Sequence, residues 1–477
     1  MKFLLIQPPE ERTLRSNLPT TIESLRGKNP PIGLLYAAAA ARTVPGWEVE
    51  LLDAAAEGLA QGDIAREVAA RRPDLVGITA TTFTYLDVLA AARAAKAGHA
   101  ACRVILGGVQ PFLFPRETLA QPDVDFILSG EAEESLPRAL TIWADEGPDA
   151  VGGGRVPGVL ARGDDALGFA PAPMIADLDA IPRPAWELSP VARYASLVTP
   201  LRPVTILITS RGCPYRCRYC ALSVTGKRWR AHGPRRVVEE MQACRGLGAR
   251  YLLLYDEVFT ARKDRVLAIC DLLGRDGWRT PWMARGTTDT VDAETLRAMR
   301  AAGCELVTFG VESGSPRVLE RLGRRASIAE MVAAFDAARA AGLSTIAYFM
   351  VGSPGESRED VEASLRLARR IRPDMIHGAI FVPYPGSAFY EEGRKTGLIP
   401  GDHWREFSLR PRDDFRPPYW NETFTDDELE ALLRRFYRRF FVRPGYVLRR
   451  LARLRGLADL AAAARGLWAL LRFPGAP

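Results

Sequence analysis

RGCPYRCRYC (residues 211–220) carries three cysteines, Cys213, Cys217 and Cys220, in the spacing C-x3-C-x2-C. It follows directly on an apolar run, VTILITS (204–210), that reads as a strand. Three thiolates on one loop can each hold one iron of a cubane [4Fe–4S] cluster and leave the fourth iron without a protein ligand. A cluster kept for structure or electron transfer normally takes four cysteines. Three therefore point to an iron open to a small molecule. The competing reading is a zinc knuckle, which would take a fourth Cys or His nearby. The one candidate is His232, well beyond Cys220.

Downstream of this loop the pattern is a βα series. Its strands are VTILITS (204–210), RYLLLYDE (250–257), PWMARGT (281–287), LVTFGVES (306–313), TIAYFMVG (345–352) and MIHGAIFV (375–382), with helices between them such as 236–247, 292–302 and 328–341. These repeats predict a partial (β/α)6 barrel over 201–395, with its chemistry at the carboxyl ends of the strands.

Upstream, residues 1–146 also alternate strand and helix, in KFLLIQ (2–7), EVELLDA (48–54), LVGITATT (75–82), RVILGGVQP (103–111) and DFILSGEAE (125–133). Near-continuous apolar strands between helices predict a parallel sheet covered on both faces, an α/β Rossmann-like domain. Its ligands are expected beyond the carboxyl ends of the strands. Residues 147–200 are rich in Gly and Pro and read as a linker with a β-hairpin. Residues 396–477 read as a C-terminal helical, basic region, in which Thr425 and Glu428 form a capping box.

Residues 200–395, with the cysteine loop at the end of the first strand, resemble the radical S-adenosylmethionine (SAM) superfamily. The resemblance implies that SAM binds the open iron through its amino and carboxylate groups and is reductively cleaved to a 5′-deoxyadenosyl radical. It also implies SAM contacts at successive strand ends. Tyr219 covers the adenine side, Asp256 and Glu257 receive the amino group, and Arg285 pairs the carboxylate. Glu312 and Ser313 meet the ribose, and VGSPGE (351–356), with Gly352, backs the adenine.

FYRRFFVRPGY (436–446) resembles carboxyl-terminal segments of cobalamin radical SAM proteins related to anaerobic magnesium-protoporphyrin ester cyclases, and the upstream domain resembles that of the cobalamin-binding branch of the superfamily. The matching stretches are PPIGLLYAAA (30–39), VELLDA (49–54), VGITATT (76–82), VILGGVQP (104–111) and ILSGEAE (127–133). Cobalamin contacts are implied at Pro31, Gly33, Thr79, Thr81, Gly107, Gly108, Gln110, Gly130 and Glu131. The loop after the first strand, QPPEERTLRSN (7–17), holds no histidine, so cobalamin is expected base-off with no histidine on cobalt.

Three uses of these cofactors follow, in order of preference. The first is cobalamin-dependent methylation of an unactivated carbon. The second is a cyclisation or rearrangement without net methyl transfer, and the third a non-catalytic cobalamin or cluster sensor. An enzyme of this kind takes a small-molecule substrate and an electron donor such as flavodoxin or ferredoxin.

Composition agrees with a protein of more than one domain: 477 residues, 47% hydrophobic and 25% charged. The seven cysteines are an odd number, and three of them crowd one loop. That argues against a disulfide framework and for a reducing, cytoplasmic location. Cys102, Cys244, Cys270 and Cys304 are isolated and read as small buried apolar residues. The start MKFLLIQPP does not read as a secretory signal. The net charge of +7 comes from the tail, where residues 434–473 hold eleven arginines against Asp459. An apolar face at 447, 451, 454, 458 and 461 makes this stretch amphipathic, to be packed on the barrel or laid on an anionic membrane surface. No aromatic stacking pattern points to nucleic acid.

Overall fold

Short apolar strands, largely buried from both sides, build two mainly parallel sheets. In the computed structural model the structure describes residues 1–14, 27–165, 168–221 and 226–451, without the side chains of 449–451. The first sheet contains β1 (Lys2–Gln7), β2 (Glu48–Asp53), β3 (Leu75–Thr79), β4 (Arg103–Gly107), β5 (Phe126–Leu128) and β6 (Val159–Ala161). Their order is β2-β1-β3-β4-β5-β6. The first five strands are parallel, and β6 closes the edge antiparallel to β5. Helices Ile32–Ala41 and Ala132–Glu146 bury Leu34, Ala37, Leu136 and Leu140 against one face. Helices Asp63–Arg71 and Tyr85–Gly98 bury Ile64, Val68, Val88 and Ala92 against the other.

The second sheet comprises β7 (Val204–Leu207), β10 (Tyr251–Leu254), β11 (Trp282–Gly286), β12 (Cys304–Glu312), β13 (Ser344–Val351) and β14 (Met375–Ile380), in chain order and all parallel. Between β7 and β10 a short ladder pairs β8 (Ser210–Arg211) with β9 (Arg230–Ala231), antiparallel. This ladder closes the base of the cysteine loop.

Residues 147–200 are not a free linker. β6 belongs to the first sheet, and the following chain stays on it, with Ala172 N donating to Ser129 O at 2.7 Å. A strand of three residues leaves no alternation to read, which is why it escapes the sequence. The C-terminal region also belongs to the body. The Thr425–Glu428 capping box is formed, and helix Asp426–Phe441 lies on β14, where the Tyr437 hydroxyl bonds both Gly378 N and Gly378 O at 2.9 Å. Helix His403–Leu409 reaches back to the first sheet's helices. There Gln110 Nε2 donates to Ser408 Oγ at 2.9 Å and Gln121 Nε2 to Ser408 O at 3.1 Å. Most of the basic amphipathic stretch, from 452 on, lies outside the described residues.

Candidate functional site

Two cavities open where the carboxyl ends of the two sheets meet. The first, about 240 Å³, runs from the ends of β1, β3, β4 and β5 to the end of β10. Gly33, Thr79, Gly107, Gly108, Gly130 and Glu131 line it on one side, and Arg211, Tyr255 and Glu257 on the other. Glycine is required at two of these positions. Gly108 has φ +101°, and a Cβ there would stand 2.8 Å from Ala80 O. Gly130 has φ +105°, with Ala172 N and O 2.9 Å from such a Cβ. At both positions the chain packs too tightly on neighbouring backbone for a side chain, and with Gly33 and Gly107 they leave a stretch of the cavity wall made of bare main chain, a glycine cradle.

Four of the sequence-derived cobalamin contacts stand differently from expectation. Pro31 caps helix Ile32–Ala41 through its carbonyl, which accepts from Leu34 N at 2.8 Å, and lines neither cavity. Gln110 is fully buried, turned away to Ser408. Thr81 lines the second cavity instead. Glu131 borders the cradle, but its carboxylate is engaged elsewhere. Both oxygens accept from Arg230 at 2.8 Å, Ile175 N donates to Oε2 at 2.6 Å, and Arg211 Nη1 stands 3.3 Å from Oε1. Arg211 also pairs with Glu133. Burial raises the Glu131 carboxyl, but Arg230, Arg211 and the Ile175 amide outweigh it and hold the pKa below its usual value. This ion-pair group joins the β5 turn to the β8–β9 ladder, so Glu131 positions the two domains.

The second cavity, about 480 Å³, lies between the two halves. Thr81, Phe83 and Val109 come from the first sheet's loops. Tyr219 and Cys220 come from the cysteine loop, and Met350, Phe381, Tyr384 and Trp404 from the barrel side. Among the described residues, no Asp, Glu, Lys or Arg lines it.

Cys213, Cys217 and Cys220 are partly exposed, whereas Cys102, Cys244, Cys270 and Cys304 are buried. Burial and then the Cys217 thiol push Cys220 up to about 11, and burial raises Cys213 as well. The three thiols therefore feel one another on one loop. Among the described residues no three His, Cys, Asp or Glu side chains are gathered closely enough for a metal ion. A cubane takes one thiolate at each of three corners, so its ligands stand farther apart than those of a single ion.

Around the loop the barrel's strand ends divide into two groups. Asp256 is fully buried, and its carboxylate accepts from Thr209 N, Thr209 Oγ1 and Ser210 Oγ, each at 2.6 Å. It fixes the start of the cysteine loop and is not turned to a ligand. Its neighbour Glu257 lines the first cavity. Arg285 lies over the Tyr255 ring, 3.9 Å from its centre. Glu312, at a bulge in β12, has φ +66° and accepts from Tyr219 OH at 3.1 Å. Such backbone in a non-glycine residue is strained and recurs at functional sites. Ser313 is fully buried, its hydroxyl 3.2 Å from Ser364 Oγ, and it faces neither cavity. Gly352 is buried against Leu429. Its amide and that of Ser353 donate to Glu356 at 2.7 and 3.1 Å, and burial pushes that carboxyl up to about 8.

Sequence reasoning missed Arg324, whose Nη1 reaches 4.0 Å from Cys217 Sγ, and the Arg211–Arg230 pair. No spacing marks Arg324, because the fold carries it to the loop from a turn after helix Pro316–Arg321.

Comparison with known proteins extends these observations. The profile of the radical SAM superfamily matches residues 207–368, and that of the B12 binding domain residues 19–140. An uncharacterized methyltransferase of Pyrococcus horikoshii is 32% identical over 457 residues, 94% of each chain. The anaerobic magnesium-protoporphyrin IX monomethyl ester cyclase of Rubrivivax gelatinosus is 26% identical over 429 residues, 89% of this chain and 76% of that one. Among solved structures, the radical SAM methyltransferase TsrM of Kitasatospora setae, with cobalamin and a [4Fe–4S] cluster bound, superposes with a TM-score of 0.71. It covers 93% of this chain and 89% of that one, at 17% identity.

Proposed function

The chain belongs to the cobalamin-binding branch of the radical SAM superfamily, an enzyme family that uses a [4Fe–4S] cluster, SAM and cobalamin, and we propose that it methylates an unactivated carbon of a small molecule. The observation that carries this reading is the second cavity, where a cluster-loop cysteine, Cys220, faces the cobalamin-domain loops at Thr81 and Val109.

We assign Cys213, Cys217 and Cys220 to the cluster, and the glycine cradle at Gly33, Gly107, Gly108 and Gly130 to cobalamin. When bound, the cluster and SAM supply a 5′-deoxyadenosyl radical and cobalamin supplies the methyl group. The protein's own part is to hold and to exclude. Glu257 offers a carboxylate to an ammonium group at the end of β10. Arg285, held flat on Tyr255, offers a guanidinium to a carboxylate. Tyr219, fixed by its bond to Glu312, lines the chamber beside Cys220 and shapes the cluster loop's side of it. Phe83 packs edge to face on Tyr384 and Trp404, with centres 5.8 and 6.1 Å away, Tyr384 lies tilted to Trp404 at 6.0 Å, and the three rings keep water from the reacting carbon. The described wall, without ionised side chains, suits a substrate whose reacting portion is uncharged, since a charge left there without a partner would be costly. Reduction of the cluster calls for a one-electron donor of the flavodoxin or ferredoxin kind. No helix among the described residues is long and apolar enough to cross a membrane.

The cyclase relative carries a second reading, ring closure without net methyl transfer. Anaerobically reconstituted protein, given SAM, cobalamin, dithionite and a panel of small molecules with uncharged reacting portions, separates the two on whichever substrate turns over. Methylation yields S-adenosylhomocysteine together with 5′-deoxyadenosine, and cyclisation yields no S-adenosylhomocysteine. Cys213→Ala, Cys217→Ala and Cys220→Ala are each expected to abolish both products and the cluster absorbance, while Cys270→Ala keeps them. Unchanged 5′-deoxyadenosine from any one of the three would refute the assignment.

A further inference from the structure

We propose that Arg324 donates a hydrogen bond to the sulfur of Cys217 and so positions and redox-tunes the cluster, an inference that rests on the assignment of Cys217 to that cluster. The guanidinium is planar, with its five N–H groups in a fixed fork, so one bond sets the direction of the others. Arg324 Nη2 donates to Gly310 O at 2.6 Å, which leaves Nη1 aimed at Cys217 Sγ, 4.0 Å away. The acceptor carbonyl lies beside the β12 irregularity between Gly310 and Glu312.

The backbone fixes the same approach independently. Arg218 N, next to Cys217, donates to Leu322 O at 2.9 Å. Gly323, with φ +68°, brings the turn so near the loop that a Cβ would stand 3.3 Å from Arg216 O. The turn before Arg324 and the loop around Cys217 thus touch through main chain, and the guanidinium completes the contact. Buried Glu312, bound to Tyr219, supplies the neighbouring negative charge.

A cation and N–H donor beside a ligating thiolate favour the reduced cluster, which carries one more negative charge. Arg324→Gln removes the charge. Arg324→Lys keeps it but loses the fork, since one ammonium on a flexible stem does not span Gly310 O and Cys217 Sγ together.

The test uses reconstituted full-length enzyme, read by EPR-monitored redox titration and by electron–nuclear double resonance after growth on 15N-arginine. Wild type is expected to show an arginine nitrogen coupled to the reduced cluster, and Arg324→Gln to lose that coupling. The variant's cluster should be harder to reduce by about tenfold, equivalent to about 59 mV for one electron, with Arg324→Lys shifted less. If Arg324→Gln does not hold its cluster, the wild-type coupling and the potential of Arg324→Lys decide. A wild type that takes up no cluster overturns the underlying assignment, and this proposal with it. A loaded wild type without the coupling, or variants with unmoved potentials, overturns this proposal alone.

Discussion

Replacing Glu131 by Gln tests the joint between the two halves at its most buried point. The Glu131 and Arg230 side chains are each 3% exposed, and two bonds of 2.8 Å join them as a fork. Glutamine keeps the shape and removes the charge. It also sets an NH2 against groups that are all donors: Arg230, Arg211 and the Ile175 amide. Breaking a buried pair by removing one partner leaves an uncompensated charge and costs about 3–5 kcal/mol. Arg211 keeps Glu133, so the lower figure applies.

The natural reporter is the Ile175 amide, whose acceptor is Glu131 Oε2 itself at 2.6 Å. A loss of about 3 kcal/mol raises its hydrogen-exchange rate by more than about 100-fold, because about 1.4 kcal/mol is a factor of ten. An increase below tenfold would refute the reasoning. The sign of the pH dependence follows from the lowered Glu131 pKa. A depressed carboxyl contributes stability above its unfolded value of about 4.5 and loses it as pH falls through the folded value. The gap between wild type and Glu131→Gln should therefore be full at pH 7 and shrink as pH falls below about 4.5. Arg230→Met should show a comparable loss. The double variant Glu131→Met/Arg230→Met should lose less than the sum of the two, since neither charge is then left alone.

Two further predictions concern single loops. Burial holds the Glu356 carboxyl near 8, so its contribution to stability is complete below about pH 4.5 and is lost as pH rises through 8. The melting temperature of wild type should fall more steeply between about pH 4.5 and 8 than that of Glu356→Gln, and parallel curves there would refute the assignment. Gly108→Ala should cost about 1–3 kcal/mol, because φ is +101° and the new Cβ would stand 2.8 Å from Ala80 O. Cobalamin retained through gel filtration should fall while iron content holds. Gly153→Ala, in open space at φ +69°, is the control for backbone strain without the cradle.

The parts of this architecture legible in the sequence are those with short-range causes. A strand covered on both faces must be apolar throughout, and VTILITS or RVILGG states that locally. Three cysteines within one loop do the same for the cluster. Where a side chain turns is not local. Asp256 and Glu257 are adjacent and equally acidic, and successive residues of an extended chain point to opposite sides. The sequence gives no sign of which one meets the cavity. The structure buries Asp256 among Thr209 and Ser210 and leaves Glu257 at the cavity. Glu131 fails for a related reason. Its partners come from β9 and from Ile175, and nothing near Gly130 announces an arginine so far along the chain. Arg324 is the same case on the barrel side.

A buried ion pair is an expensive way to join two domains, since a well-packed apolar contact of the same volume is often as stable or more so. Its use at this joint is therefore better understood as geometry than as stability. Glu131 sits on the turn that borders the glycine cradle, and Arg211 sits in the strand that leads into Cys213. Apolar surfaces can slide over one another at little cost. A carboxylate held by a fork of two bonds, a backbone amide and a second arginine cannot, because each ångström of shift breaks a directional bond between desolvated groups. Under the proposed function, chemistry shared between two cofactors would depend on the distance and angle between the two halves, and this buried cluster ties the β5 turn of one half to the ladder before the cysteine loop of the other.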